Sequence, residues 1–553
     1  MTEASLIIEN AKVLTMDPAK PRADAIALGG ALILGVGEKA EMEAFAGPNT
    51  RRFDAQGKTV MPGMVEAHLH LFSGAYGLRL CQLDHVQGVE ALREKVLPFA
   101  KANPDEGLLI CKGAMYNLFG DNVSITRQHL DEVISDRPLV LIAADHHTAF
   151  ANTIAMEKAG LINGRDVPLG NEVVMGSDGK ATGELREFEA YKHVMVLRTS
   201  GGRENLGLTG DEPDSVTAAD RAEDEAVMLE GLKYCASYGF TSLHNMDGNI
   251  YQLELLHALE KRGELICRTE IPFHLTPSKP ISSLEIARQM TADYNSDRLR
   301  SGRVKMFMDG VIDSGTAVMV EDYADQPGWR GDPLHSTERF NEAATEADKH
   351  GLQIAVHAIG DAAVRRVLDG YEAAQKANGK RDSRHRIEHI EVLHPDDLHR
   401  FAELGVIASM QPQHPPGALD FPLEPWTSKV GKERWPWSFP VQYLRDEGVP
   451  IAFASDWPVA DIDPMRGVQA AVTRKPWHPD HPSHASTLMQ SLHDYTMGGA
   501  YTGFDENRLG KLAPGMLADV VVMDADLESL EAERIGTARA ALTLCGGEIT
   551  WEA

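Results

Sequence analysis

Two histidines one residue apart, His68 and His70, are followed much later in the chain by Lys305, His357, His389 and Asp456. Imidazole nitrogen, carboxylate oxygen and a lysine amine that has lost its proton are ligands for a divalent cation. Together they point to metal-assisted hydrolysis. On a strand, residues i and i+2 face the same side, so His68 and His70 can serve one ion while Leu69 packs outward. Taken alone, that pair reads as two ordinary surface or core histidines. The later ligand types, each in or at the end of a short apolar run, change the balance.

Lys305 sits among Val304, Met306, Phe307 and Met308. Burial disfavours an ammonium and frees the amine, which can add carbon dioxide and bridge two ions as a carbamate. The competing reading is an ordinary lysine whose ammonium reaches out to pair with Asp309. His357 and His389 end two further runs and would complete a second ion site, with Asp361, Glu388 and Glu391 near enough in sequence to fix their tautomers. Asp456 follows an apolar strand and has the chemistry of a general acid and base beside an activated water. Helix capping before Pro458 is its alternative role.

The runs that must position these residues are 61–71, 304–308, 352–358, 387–392 and 451–457. Helical patterns at 337–350, 361–377 and 395–404 alternate with strand patterns at 352–356, 386–392 and 406–410. That alternation predicts an α/β fold with a parallel sheet closed into a (β/α)8 TIM-like barrel, whose strand ends form a catalytic rim. A dinucleotide-binding sheet would want GxGxxG after its first strand, and none is there. Short β-type runs in residues 1–60 and again in 505–553 predict a β-sandwich composed from both termini. The barrel would occupy 61–504, with a subdomain inserted at about 74–202, because so long a structureless connection is uncommon. Residues 198–220 are poor in apolar side chains and predict an exposed loop.

Composition narrows the function classes. The 553 residues are 43% hydrophobic, enough for a large core, and carry a net charge of −28 from 54 basic and 82 acidic side chains. Such a balance repels nucleic acid and anionic membranes. Five dispersed cysteines, an acidic amino-terminal stretch and apolar stretches interrupted by charges or prolines lead us to expect a cytoplasmic protein. The oligomeric state is left open, a homo-oligomer included.

These residues resemble the amidohydrolase superfamily, in particular amidohydrolase family 3, with its YtcJ-like proteins and N-substituted formamide deformylases. The resemblance rests on Met61-Pro62-Gly63-Met64-Val65-Glu66-Ala67-His68-Leu69-His70, Asp145-His146-His147-Thr148-Ala149-Phe150-Ala151-Asn152, Lys305-Met306-Phe307-Met308-Asp309-Gly310, His357-Ala358-Ile359-Gly360-Asp361, Arg386-Ile387-Glu388-His389, Ser455-Asp456-Trp457-Pro458 and the stretch from Gly510 to Asp519. It implies His68 and His70 on one metal, His357 and His389 on the other, carboxylated Lys305 as the bridge and Asp456 as the base. Zinc is the default ion; two are implied, and a single ion with unmodified Lys305 is the other arrangement. Glu187 stands at an acidic family position. Two departures fall near the expected substrate pocket: Val311-Ile312-Asp313-Ser314-Gly315 replaces a Ser-Leu-Gly-Ser-like stretch, and Trp457 stands where a small residue is usual.

The expected reaction is hydrolysis of a C–N bond in a small N-acyl or N-formyl amide, by attack of metal-bound hydroxide with Asp456 shuttling the proton. His147, Asn152, His414 and Asp309 are expected polar contacts to the substrate. Met115, Tyr116, Phe119 and Trp457 are the expected apolar walls. Opening of a lactone, cyclic amide or ester, or decarboxylation, would suit the same site. A non-catalytic amidohydrolase-like scaffold protein is the other alternative.

Overall fold

The computed structural model describes residues 3–83, 86–120, 123–143, 148–167, 171–186 and 188–553. The chain divides into two compact units. One comprises Met1–Gly74, Gly207–Asp214 and Glu225–Ala553, and the other Ala75–Leu206 and Ser215–Asp224.

The first unit is built on two all-parallel sheets. In one, the strand Met64–Leu69 pairs with Phe240–Asn245, which pairs with Arg268–Glu270 and through it with Leu299–Arg300. In the other, Phe273–His274, Arg303–Phe307, Gln353–Ala358, Arg386–His389, Ile407–Met410 and Ile451–Phe453 follow one another in chain order. Every residue of Met64–Leu69 and Gln353–Ala358 is buried. These strands therefore read as continuous buried runs without the alternation of a half-exposed sheet. Pro272 stands between Arg268–Glu270 and Phe273–His274, where its missing N–H takes one donor out of the ladder. Helices Thr337–Lys349 and Asp361–Asn378 return the chain between strands.

The first and last of these strands meet. Asp456 N–H donates to the His68 carbonyl at 2.9 Å and His70 N–H to the Trp457 carbonyl at 2.8 Å, and Leu69 bridges to Trp457 in parallel sense. Ala67, Ala452 and Ala454 form a small apolar cluster beside this junction, so methyl groups alone fill the space between the two backbones.

Two further sheets use both ends of the chain. Strands Lys12–Leu14, Arg22–Ala23 and Thr59–Pro62 share a six-stranded sheet with Val520–Met523, Ala540–Cys545 and Glu548–Glu552. Strands Leu6–Glu9, Ala25–Gly29, Leu32–Gly37 and Arg51–Asp54 form a four-stranded one. Ile8, Ile26 and Leu28 of the smaller sheet and Val13, Val520 and Leu544 of the larger lie in one core. In the smaller sheet Leu6–Glu9 runs antiparallel to Ala25–Gly29 and parallel to Arg51–Asp54.

The second unit carries its own six-stranded mixed sheet. Its order is Glu172–Met175, Ala181–Arg186, Thr148–Ala151, Leu139–Ala143, Leu109–Ala114 and Cys81–Gln82. Helix Val89–Ala102 buries Leu92, Val96 and Ala100 in the core of this unit. Residues 198–204 are not the exposed loop their polarity suggests. Arg198 forms an ion pair with Glu204, Arg203 pairs with Asp224 at 2.7 Å, and all four residues are buried. Polar composition predicts exposure only when charges lack partners, and here each has one. No described helix is long and apolar enough to cross a membrane.

Candidate metal centre

The candidate ligands sit where strands end. His68 is in the strand Met64–Leu69 and His70 follows it; Lys305 lies in Arg303–Phe307, His357 in Gln353–Ala358, and His389 closes Arg386–His389. Asp456 follows Ile451–Phe453 by three residues. The run expected to continue as strand to 392 stops at His389, because His389 and Ile390 adopt φ of 77° and 51°. Asp456 is also left-handed, at 62°. Such conformations are costly for residues other than glycine and tend to be kept where function requires them.

The structure brings these groups together. Asp456 Oδ1 lies 3.3 Å from His68 Nε2 and 3.1 Å from His70 Nε2, and the ligand atoms of the three residues all fall within 4.8 Å of one another. His68 and His389 have ring centroids 4.9 Å apart, and His357 and His389 4.5 Å apart. Lys305 Nζ is fully buried, 4.6 Å over the Phe307 ring, whose centroid is 4.8 Å from His357.

Several atoms here have no hydrogen-bond partner among the described residues: Lys305 Nζ, Asp456 Oδ1, His70 Nδ1 and His414 Nε2. The short Asp456–histidine separations therefore lack hydrogen-bond geometry. The groups converge on a common space without being aimed at one another. Buried polar atoms left in this state are expensive unless something else satisfies them, and a cation would do so. On this test the residues fit a metal.

Most of the protonation states favour the same reading; at His70 burial is outweighed by Asp247 and Asp456, which push it up to about 9, so a cation bound there displaces a proton. Burial, with Lys305 next in importance, lowers His357 to about 3, and burial with His357 holds His389 well below the ordinary value. Both rings are neutral and offer lone pairs. Burial also lowers Lys305 to about 8, which brings its neutral amine within reach near neutral pH. Burial would raise the Asp456 carboxyl, but His68 and His70 outweigh it and hold it ionised.

Neighbouring side chains fix the tautomers. Glu388 Oε2 is 2.7 Å from His68 Nδ1, while Arg386 holds the same oxygen at 2.8 Å. Burial alone would raise the Glu388 carboxyl; Arg386 and His68 keep it well below its usual range. Gln411 Oε1 accepts from His389 Nδ1 at 2.9 Å, and His357 Nε2 donates to the Gly310 carbonyl at 3.0 Å. His68 and His389 are thus turned to present Nε2, and His357 Nδ1. Asp247 Oδ1 is 3.7 Å from His70 Nδ1. Glu66 accepts from both His68 N–H and Ser455 N–H, tying the first ligand to the loop of the last.

The expected substrate contacts divide. His414 lies beside the candidate ligands: its ring stacks on His389 at 6.1 Å and 9°, and His389, His414 and Asp456 form a second group that could hold an ion. Trp457 is buried, with its ring 5.6 Å from Tyr234 and packed on Gly74, where a Cβ would come within 2.4 Å of the indole. Asp309 gives way to a structural role. Its carboxylate accepts from Val318, Ile359 and Gly360 N–H at 2.9–3.0 Å, clamping two loops, and burial pushes it up to about 7. The Asn152 amide caps helix Thr153–Lys158 and bonds to Leu139, Ile134 and Arg137. Tyr116, in the second unit, donates to Thr148 Oγ1 at 2.8 Å. His147 and Glu187 lie outside the described residues.

Gln411, Asp247 and Glu66 were not singled out from the sequence. Gln411 and Glu66 stand in runs that mix apolar residues with other polar ones, a pattern that buried polar partners of a site share with many inert positions.

Parallel strands delivering imidazoles, a lysine and a carboxylate to one buried cluster define an α/β protein with a metal-ligating centre at its strand ends. The sequence profile of the amidohydrolase family matches residues 51–551, and the chain belongs to that family. It is 32% identical to Protein LONG AFTER FAR-RED 3 of Arabidopsis thaliana, over 95% of this chain and 88% of that one. It is 27% identical to the N-substituted formamide deformylase of Arthrobacter pascens, over 94% and 93%. Among solved structures it resembles an uncharacterized metal-dependent hydrolase from Pyrococcus furiosus, with a TM-score of 0.74 and 26% identity over 94% of this chain and 99% of that one.

Proposed function

We propose that this protein hydrolyses a C–N bond in a small amide-type substrate, N-formyl or N-acyl, at the centre formed by His68, His70, Lys305, His357, His389 and Asp456. The observation that carries the reading is the set of buried, unpartnered ligand atoms converging at strand ends. The name of the Arthrobacter pascens relative, a deformylase of N-substituted formamides, favours the amide over the lactone or ester. In this reading the two parallel sheets are one (β/α)8 barrel, closed where His68 meets Asp456, and the terminal sheets form a composite sandwich.

His68 and His70 would hold one divalent ion and His357 and His389 a second, with Lys305 between them as a carbamate. Bound there, the metal supplies Lewis-acid polarisation of the substrate carbonyl and lowers the pKa of water. Asp456 Oδ1 takes the proton of the attacking water and returns it to the leaving nitrogen, which must be protonated to depart. Glu388 and Gln411 hold the rings of His68 and His389 in register throughout. Trp457, packed on Gly74, forms an apolar wall beside the base.

The test is elemental analysis of protein purified without chelator, followed by turnover assays on N-formyl, N-acyl, lactam and ester substrates. Bound metal with turnover of an amide, lost in Asp456→Asn, supports the reading. Full metal content with turnover of esters or lactones alone moves the chemistry to the other bond. Absence of metal after reconstitution overturns it.

A further inference from the structure

Outside the metal centre, one pair of nucleophilic side chains is set face to face. Cys81 and Cys111 are register partners across the parallel strands Cys81–Gln82 and Leu109–Ala114, and both are buried in the core of the second unit. Residues directly opposite on neighbouring parallel strands point to the same face of the sheet. Their backbones lie roughly 4.8 Å apart, inside the roughly 4.4–6.8 Å that a disulfide spans between Cα atoms.

We propose that Cys81 and Cys111 are an oxidisable dithiol, a modification site that a peroxide converts to an intramolecular disulfide. Cys81 is the residue positioned to react first. Its strand is only two residues long and forms the edge of the sheet, whereas Cys111 lies in the six-residue strand next to it. Short edge strands open locally at small cost, exposing what they cover. The two thiols also act on each other: the hydrogen bond from Cys111 lowers the Cys81 thiol, and the same contact raises Cys111. The thiolate is the nucleophilic form, and the pair divides the roles of attacking and resolving sulfur.

The chemistry balances with hydrogen peroxide. The Cys81 thiolate attacks one peroxide oxygen, forming an S–O bond and breaking the O–O bond; the sulfur becomes a sulfenic acid, and hydroxide leaves as water with the Cys81 proton. The Cys111 sulfur then attacks that sulfenic sulfur. The S–S bond forms, the S–O bond breaks, and the second hydroxide leaves as water with the Cys111 proton. Two thiols lose two electrons and the peroxide gains them.

The remaining cysteines are set differently. Cys235, Cys267 and Cys545 are buried in the other unit, and neither Cys267 nor Cys545 has a cysteine as register partner on its paired strands. Parallel pairing holds Cβ atoms at about the strand spacing, slightly beyond the roughly 3.5–4.5 Å of a relaxed disulfide. Closure therefore has to draw the edge strand inwards, and a bond formed that way reopens readily with small thiols.

The experiment is treatment of the full chain with hydrogen peroxide, then denaturation, alkylation and intact-mass and peptide mapping. The expected result is loss of two alkylatable thiols, a peptide pair joined through Cys81 and Cys111, and full recovery with dithiothreitol before denaturation. In Cys111→Ser, Cys81 should instead be trapped by a sulfenic-acid probe. An unchanged count of five thiols, a disulfide between other cysteines, or overoxidation with no joined peptide would each overturn the proposal. The decisive measurements use the unaltered chain, so they stand even if a variant fails to fold.

Discussion

The Glu388 carboxylate and the His68 imidazole, both sealed from solvent, lie 2.7 Å apart with Arg386 on the far side of the carboxylate. One acid thereby does two jobs: it neutralises a buried guanidinium and it fixes which nitrogen of the first histidine faces the centre. Glu388→Gln should lower metal affinity by about 10- to 100-fold, the usual cost of losing such a partner. It should also destabilise the fold by about 3–5 kcal/mol, because Arg386 is left charged and unpaired. Competitive chelator titration and urea unfolding read the two effects separately. An unchanged affinity would show that Gln keeps the tautomer.

Asp456→Asn keeps the shape of the side chain and removes its ability to take up a proton. Hydrolysis of an amide substrate should fall by about 10²- to 10⁴-fold, the range associated with a positioned acid–base group. Far-ultraviolet circular dichroism should be unchanged, since the Asp456 backbone N–H still reaches the His68 carbonyl. Undiminished turnover would remove Asp456 from the chemistry.

Gly74→Ala tests the wall beside the base. The added methyl would sit 2.4 Å from the Trp457 ring, closer than any real contact, so the indole must move. The tryptophan emission spectrum should shift and KM should change more than metal content. An unaltered spectrum would mean that the helix Leu71–Gly77, which carries Gly74, gives way and the indole stays.

His335 gives the fold a sensitivity to mild acid. Both ring nitrogens are buried without a partner among the described residues, and burial, followed by the charge of Arg339, lowers its pKa to about 4. The unfolded chain binds that proton near pH 6.5, so between about 4 and 6.5 the unfolded state holds more protons than the folded one. Stability is complete above the unfolded value and is lost as pH falls from there toward the folded value. Between pH 7 and pH 5 the loss assigned to this residue is about 2 kcal/mol. Urea midpoints for His335→Phe should fall correspondingly less than those of the unaltered protein over that interval, and parallel curves would reject the assignment.

Much of this was legible in the sequence, for identifiable reasons. Helices Thr337–Lys349 and Asp361–Asn378 follow from apolar spacing, and the clustering of His68, His357 and His389 from their placement at the ends of apolar runs. What escaped was set by partners distant in the chain. Asp309 looks like a free carboxylate until three backbone N–H groups arrive from Val318, Ile359 and Gly360. Asn152, read as a ligand contact, also caps a helix and holds the turn before Leu139. The sequence also could not show the end of the strand at His389, because a left-handed histidine leaves no mark on composition.

The Glu66 carboxylate and the Ser455 amide that it holds are 389 residues apart in the chain. A centre stitched together in this way has no partial form: a nascent chain that has not yet presented residue 455 has the first two histidines but neither the base nor the neighbour that aligns them. On the proposed reading, metal capture is therefore a late event in the life of the polypeptide, and the loaded protein would carry its own certificate of completed synthesis.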